Sequence, residues 1–330
     1  MKYIKPEDHL SERLNVHPSQ RSLHVQPVSA PLYVVTVIFN QNRYASRYRL
    51  YHGFEKHVTD SGGIPFTVEI ALRDRHHEVT CPTNPNHIQL RTESELWYKE
   101  NAGNVALSYL PADWEYVAFV DADFLFTRPD WAFETVHMLQ HYDAVQMFTN
   151  LTYLSHDNKV QNQMHGFVWQ HLNQMNVPKS YGHRGAVGGA WAFRRSAIEK
   201  LGGLLETCIL GSGDWHMAFA LALRDDVHPE MKFEQIPQYV KSIQDWAERA
   251  KELRGNIGFV ESHAIHFWHG PLANRGYNTR WRILTENGFD PYADLRKDMQ
   301  GLLQLNKNKP GLRDGIRAYF KARNEDSIGQ

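Results

Sequence analysis

The chain has 330 residues, 42% hydrophobic and 22% charged, and its 36 Lys and Arg face 37 Asp and Glu for a formal charge of −1. This globular composition excludes a disordered chain, a collagen-like repeat and a disulfide scaffold. The lack of net positive charge excludes a bulk binder of nucleic acid or anionic membrane.

Residues 1–30 are polar without a period and read as an N-terminal arm. At Pro31 the character changes: PLYVVTVIFN is a continuous β-branched run, the mark of a strand buried on both faces. Tyr44, Tyr48, Tyr51 and Phe54 follow at helical spacing, then the strand IPFTVEIAL after Gly62-Gly63. ESELWYKENAGNVALSYL reads as a helix, WEYVAFVDADFLF as a buried strand, and Pro129 opens a helix through His141. Strand and helix alternating in this order predict an α/β fold, a mostly parallel sheet flanked by helices. DAVQMFT reads as a strand, residues 150–185 as a long polar loop region, and AVGGAWAFRRSAIEKLGGL as a short strand and helix. GSGDWHMAFALAL is a glycine turn entering an apolar helix. KSIQDWAERAKELRG is amphipathic, with Ile243, Trp246, Ala250 and Leu253 on one stripe and Gly255 as its cap. Residues 286–330 read as a helical C-terminal extension.

Cys81 and Cys208 lack metal-site spacing and read as free thiols of a reducing compartment. The N-terminus lacks a signal-peptide core, and no run nears the ~18 apolar residues of a membrane-spanning helix. A cytoplasmic protein without an obligate protein partner is expected.

Three segments carry candidate chemistry. In YVAFVDADFLF the apolar run ends in Asp121 and Asp123, which strand alternation places on one face. Ligands of open α/β sheets bind beyond the carboxyl ends of strands, and paired carboxylate oxygens suit Mg²⁺ or Mn²⁺. The same pair also suits a strand leaving into a polar turn. In SHAIHFWHGPLANRGY a strand would put His263 and His269 on one face and His266 on the other. His269 is the candidate third metal ligand, whereas His263 and His266 read as packed or hydrogen-bonded histidines. Gly270 would let backbone N–H groups approach a phosphate, and Arg275 would neutralise it. Asp214, between a glycine turn and an apolar helix, reads both as an N-cap and as a general base toward an acceptor hydroxyl. His216 is the alternative base.

These segments, with the W-Y-K-E-N helix, P-D-W after the acidic motif, G-G-A-W-A-F, G-S-G-D-W, H-F-W-H-G and the C-terminal YFKARNED, resemble the GT-A-fold glycosyltransferases over residues 31–285. More distantly, the chain is similar to polypeptide GalNAc-transferases and family 2 enzymes. The resemblance implies one catalytic domain, its nucleotide-binding half at 31–130 and its acceptor half at 131–285. It implies a hexosyltransferase-type enzyme using a nucleotide-sugar, foremost a UDP-sugar, with Mn²⁺ or Mg²⁺ held by Asp121, Asp123 and His269. Asp214 matches the base of inverting members, although G-D-W stands where they more often carry an E-D pair. Asn40, Glu69, Lys99 and Asn104 would approach the nucleotide, and Gly188, Gly189 and Trp191 the sugar or acceptor.

The acceptor is open: a glycan, a protein, or a hydroxymethylated DNA base. For DNA speaks a local cluster in residues 307–323, where Lys307, Lys309, Arg313, Arg317, Lys321 and Arg323 outweigh Asp314. A nucleotidyltransferase would begin with a glycine-rich basic loop after the first strand, which NQNRYASRYR is not. A non-catalytic sugar- or nucleotide-binding module would keep the aromatics and need no base.

Overall fold

The computed structural model describes residues 30–173, 185–224, 233–306 and 309–328. The expected N-terminal arm, but for Ala30, lies outside the described residues. The β-branched run forms β1 (Leu32–Phe39), followed by α1 (Ala45–Asp60), β2 (Ile64–Leu72), β3 (His87–Thr92), α2 (Lys99–Leu107) and β4 (Tyr116–Val120). β5 (Phe124–Phe126), α3 (Trp131–Leu139) and β6 (Ala144–Gln146) come next, then β7 (Asn150–Leu154), β8 (Val160–His165), α4 (Phe167–Leu172), β9 (Ala190–Arg194) and α5 (Arg195–Leu201). The rest is α6 (Gly213–Leu221), α7 (Pro237–Ala250), β10 (Ile257–Phe259), β11 (His263–His266), α8 (Trp281–Glu286), α9 (Pro291–Asp294), β12 (Leu295–Lys297), β13 (Leu303–Leu305) and α10 (Pro310–Ala322).

Seven strands form the central sheet in the order β10-β6-β9-β4-β1-β2-β3. All neighbours are parallel except β9, which runs antiparallel to both β4 and β6. The fold is thus the expected class, α/β with a mostly parallel sheet flanked by helices. Alternation along β1 explains why its sequence is apolar throughout. Tyr33, Val35 and Phe39 enter one core with Ala102 and Ala106 of α2, while Leu32 and Val34 enter the opposite core with Phe54 and Val58 of α1. Trp246, Ala250 and Leu253 of the α7 stripe are buried, and the left-handed Arg254 and Gly255 (φ 53° and 69°) end the run.

Three regions depart from expectation. Within 150–165 the polar stretch is a hairpin, β7 with β8, in a second sheet ordered β5-β11-β7-β8. β8 (VQNQMH) is an exposed edge strand, so no buried face imprints alternation on its sequence. β3 is likewise a short edge strand, on which Ile88 and Leu90 alone face the core with Thr92. The C-terminal part holds the β12–β13 hairpin as well as helix, and Leu303, Leu312, Ile316 and Phe320 join the larger core. Among the described residues no helix is long and apolar enough to cross a membrane.

A candidate metal and donor cleft

The carboxyl ends of β1 and β4 open onto a cavity of about 130 Å³, lined by Asp121, Asp123, Lys99 and Arg47 among others. A second cavity, about 250 Å³, lies beside it and holds Gly188, Gly189, Tyr153 and Trp215. Asp121, Asp214, His266 and Arg275 line both, so the two spaces meet at these side chains.

β4 ends at Val120, and Asp121–Asp123 is a turn in which Phe124 N–H donates to Asp121 O (3.1 Å). Strand alternation therefore stops before the acidic pair, and its two carboxylates part. Asp121 faces Lys99, whose Nζ lies 2.7 Å from Oδ1. Asp123 turns to His269, with Oδ2 2.9 Å from Nε2, and to His266, with Oδ1 3.8 Å from Nε2. One ligand atom from each of Asp123, His266 and His269 falls within 4.8 Å of the others. His266, expected as a packed or hydrogen-bonded histidine, packs on Phe124 and Tyr153 and also stands in this group, and Asp121 stands outside it. The reason is that β11 stops at His266: Phe267 N–H donates to Asp123 O (2.9 Å), and the chain then turns so that His266 and His269 converge, ring centroids 5.1 Å apart. His263, still in the strand, bonds Thr152 Oγ1 (2.7 Å) on the neighbouring β7.

The residues fit a cation. Asp123 Oδ1 is buried with no hydrogen-bond partner among the described residues. His269 Nε2 is also 3.0 Å from Arg275 Nη2, and one nitrogen cannot both donate to a carboxylate and accept from a guanidinium. Burial alone would push Asp123 up, but His266, His269 and Arg47 hold it well below the usual carboxylate range. Burial pushes His266 down to about 3. An ionised carboxylate beside a neutral imidazole is the protonation pattern that metal ligation needs.

Across the cleft, burial pushes Asp121 up against the pull of Lys99. Lys99 is raised, since Asp121, Asp214 and Glu100 outweigh the effect of its burial. Glu100 is pushed up to about 8 by burial, with Lys99 opposing. Arg275 is buried and donates to Tyr277 Oη (3.2 Å), and Arg280 bonds Ser212 and Tyr319.

Asp214 is not the cap. Ser212 holds that position in the left-handed region (φ 70°), and Asp214 sits one residue inside α6, its Oδ1 accepting from Trp215 N–H (2.8 Å). Gly188 and Gly189 are required here. A Cβ on Gly188 would lie 1.9 Å from Asp214 Oδ2, and one on Gly189 (φ +95°) 2.0 Å from the Phe124 ring. Gly189 O also accepts from Asp121 N–H (2.8 Å), which ties the acidic turn to this strand. His216 points the other way, against Tyr239 and Trp281.

Five sequence expectations find other surroundings. Asn40 holds the turn into α1, exchanging bonds with Tyr44 (2.8 and 2.9 Å). Glu69 accepts from the N–H groups of Glu78, Val79 and Thr80 and from Thr80 Oγ1, so both its oxygens hold that loop. Asn104 lies in a separate surface cavity and bonds both N–H and O of Leu204 (2.7 and 2.9 Å). Trp191 is core: 8% exposed, Nε1 donating to Val187 O, it packs on Phe193. Gly270 admits no phosphate on its Cβ side, because Glu325 Cα would be 2.7 Å from that atom. Conversely, sequence reasoning missed His266, Arg47, Arg280 and Glu325. Of these, His266 carried a signal as the first residue of the quoted H-F-W-H-G, and Glu325 as part of YFKARNED.

The basic C-terminal cluster is largely paired. Lys309 meets Asp294, Arg313 meets Asp314, Arg317 meets Glu95 and Asp314, and Arg323 meets Glu325. Lys307 lies outside the described residues.

No family model and no curated protein matches the sequence. Among solved structures the chain is similar to a mutant of Drosophila beta-1,4-galactosyltransferase 7 in complex with manganese, UDP-Gal and xylobiose, at 14% identity and TM-score 0.31, covering 57% of this chain and 60% of that one. It is also similar to a putative nucleotide-diphospho-sugar transferase from Desulfovibrio desulfuricans (11% identity, TM-score 0.31, 88% of this chain and 98% of that one). A third is a mannose-1-phosphate geranyltransferase from Thermus thermophilus (10% identity, TM-score 0.28, 72% of this chain and 73% of that one). This chain spans about 60% of the length of the first of these. What the cleft does is therefore decided by its own geometry.

Proposed function

We propose that the protein is a divalent-metal-dependent glycosyltransferase that moves a sugar from a nucleoside-diphosphate donor to an acceptor hydroxyl. The observation that carries this reading is the convergence of Asp123, His266 and His269 on a cleft where Asp214 stands between two cavities. Two imidazoles and one carboxylate suit Mn²⁺ better than Mg²⁺, which prefers oxygen ligands and retained water. When bound, such a cation supplies positive charge to a departing diphosphate.

The chain's own residues supply the rest. Lys99, Arg47 and Arg275 line the smaller cavity and would orient the diphosphate and take up charge as the sugar C1–O bond breaks. Asp214, at the mouth of the larger cavity, would take the acceptor's proton as its oxygen bonds C1. A base facing the donor from the acceptor side fits inversion. Lys99 holds Asp121 and so keeps that carboxylate off the acceptor. Hydroxyls of a glycan or glycoprotein fit this arrangement. A DNA acceptor loses its supporting feature, since the described part of the basic cluster is mostly ion-paired.

Asp214→Asn tests the base. Sugar transfer from a UDP-sugar should fall about 10²-fold or more in kcat, with Mn²⁺ and UDP binding unchanged. Unchanged kcat would remove Asp214 from the role.

A further inference from the structure

The last turn of α10 and the segment after it close over the histidine side of the cleft. Tyr44 Oη donates to Phe320 O (3.0 Å), Asp326 accepts from the N–H groups of Ala45 and Ser46 (2.8 Å each), and Trp268 Nε1 donates to Ser327 O (3.1 Å). The backbone of Glu325 fills the space over Gly270. This path carries the Glu325 side chain inward until it is 2% exposed. There it is gripped by both Arg47 (Nη2 to Oε1 2.9 Å, Nε to Oε2 shorter) and Arg323 (Nε to Oε1 2.5 Å). Arg47 and Arg323 also line the smaller cavity.

The third group facing this carboxylate is His269, whose Nδ1 lies 3.6 Å from Glu325 Oε2 and has no hydrogen-bond partner among the described residues. Its other nitrogen, Nε2, faces Asp123. A histidine that ligates through one nitrogen carries its proton on the other, and the acceptor of that proton fixes the ring's tautomer and direction.

We propose that Glu325 is the positioning residue of the metal site: it accepts the Nδ1 proton of His269, keeps Nε2 aimed at Asp123, and through the same carboxylate fixes Arg47 and Arg323 at the cavity wall. The proposal rests on the reading of Asp123, His266 and His269 as metal ligands. A purely structural Arg–Glu–Arg cluster would matter to stability and leave metal affinity alone.

The test is Mn²⁺ titration of the full chain without nucleotide, followed by electron paramagnetic resonance, with Tm measured alongside. Glu325→Gln should weaken Mn²⁺ binding about 10- to 100-fold, the usual effect of losing such a partner. Asp326→Asn, on the same segment but bonded to the start of α1, should lower Tm and keep the Mn²⁺ affinity. Wild-type affinity in folded Glu325→Gln would overturn the proposal while sparing the metal site. Absence of Mn²⁺ binding by the wild type would overturn both. If Glu325→Gln does not fold, ¹⁵N-histidine NMR of the metal-free wild type, assigned with His269→Asn, decides: the Nδ1–H tautomer supports the proposal and Nε2–H overturns it.

Discussion

The acidic turn and the C-terminal segment each bring a carboxylate to the same imidazole. Asp123 meets Nε2 of His269 at 2.9 Å, and Glu325 faces Nδ1 at 3.6 Å. Glu325 is the more buried, 2% exposed against 17% for Asp123, but burial alone does not assign their roles. Their remaining valences do. Glu325 is held by Arg47 and Arg323, which keep it well below the usual carboxylate range against its burial and leave it one lone pair toward His269, whereas Asp123 keeps a buried oxygen without a partner among the described residues. A carboxylate with an unpartnered oxygen beside imidazoles is ready for a ligand, and one held by guanidiniums is part of the frame.

The two neighbouring histidines of β11 break or sharpen this contrast most strongly. His266→Ala removes one of three converging ligand atoms and should weaken Mn²⁺ binding by about two orders of magnitude or more, on the scale of changes at metal ligands and their partners. His263→Ala removes a hydrogen bond to Thr152 and should cost about 1 kcal/mol of stability with Mn²⁺ affinity unchanged. Equal effects of the two substitutions on calorimetric Mn²⁺ titrations would dissolve the distinction. A smaller effect is expected at Glu69, a carboxylate filled by its own loop. Glu69→Gln should cost about 1–3 kcal/mol in denaturant unfolding through the loop at 78–80, while the UDP affinity stays at the wild-type value. A selective loss of UDP binding would return Glu69 to the nucleoside site.

What the sequence made legible follows from locality. β1 and β4 are buried on both faces, so their apolar runs announced them, and the acidic pair marked where β4 ends. The edge strands β3 and β8 have no such imprint. Within the site, the period-2 rule was carried past the last residue to which it applied. At Asp121–Asp123 and again after His266 the chain turns, so Asp121 was grouped with Asp123, and His269 with His263 rather than with His266. Asn40 in a loop, Glu69 in β2 and Asn104 in α2 are polar residues that suit a ligand and a structural bond equally, and only their filled hydrogen bonds separate the two. Glu325 meets Arg47 across 278 positions of sequence, a juxtaposition that no local pattern encodes.

The central claim is that Asp123, with His266 and His269, binds a metal that in turn makes the neighbouring cavity a nucleotide site. It is tested most directly by thermal unfolding of wild type and Asp123→Ala with UDP, GDP, CDP or TDP, each with Mn²⁺ or with EDTA. A ligand at 100-fold over its Kd adds about 2.7 kcal/mol of stability. A rise in Tm with one nucleotide, present with Mn²⁺ and absent both with EDTA and in Asp123→Ala, is the predicted result. A nucleotide shift that persists in EDTA and in Asp123→Ala, or no shift with any nucleotide, would contradict it.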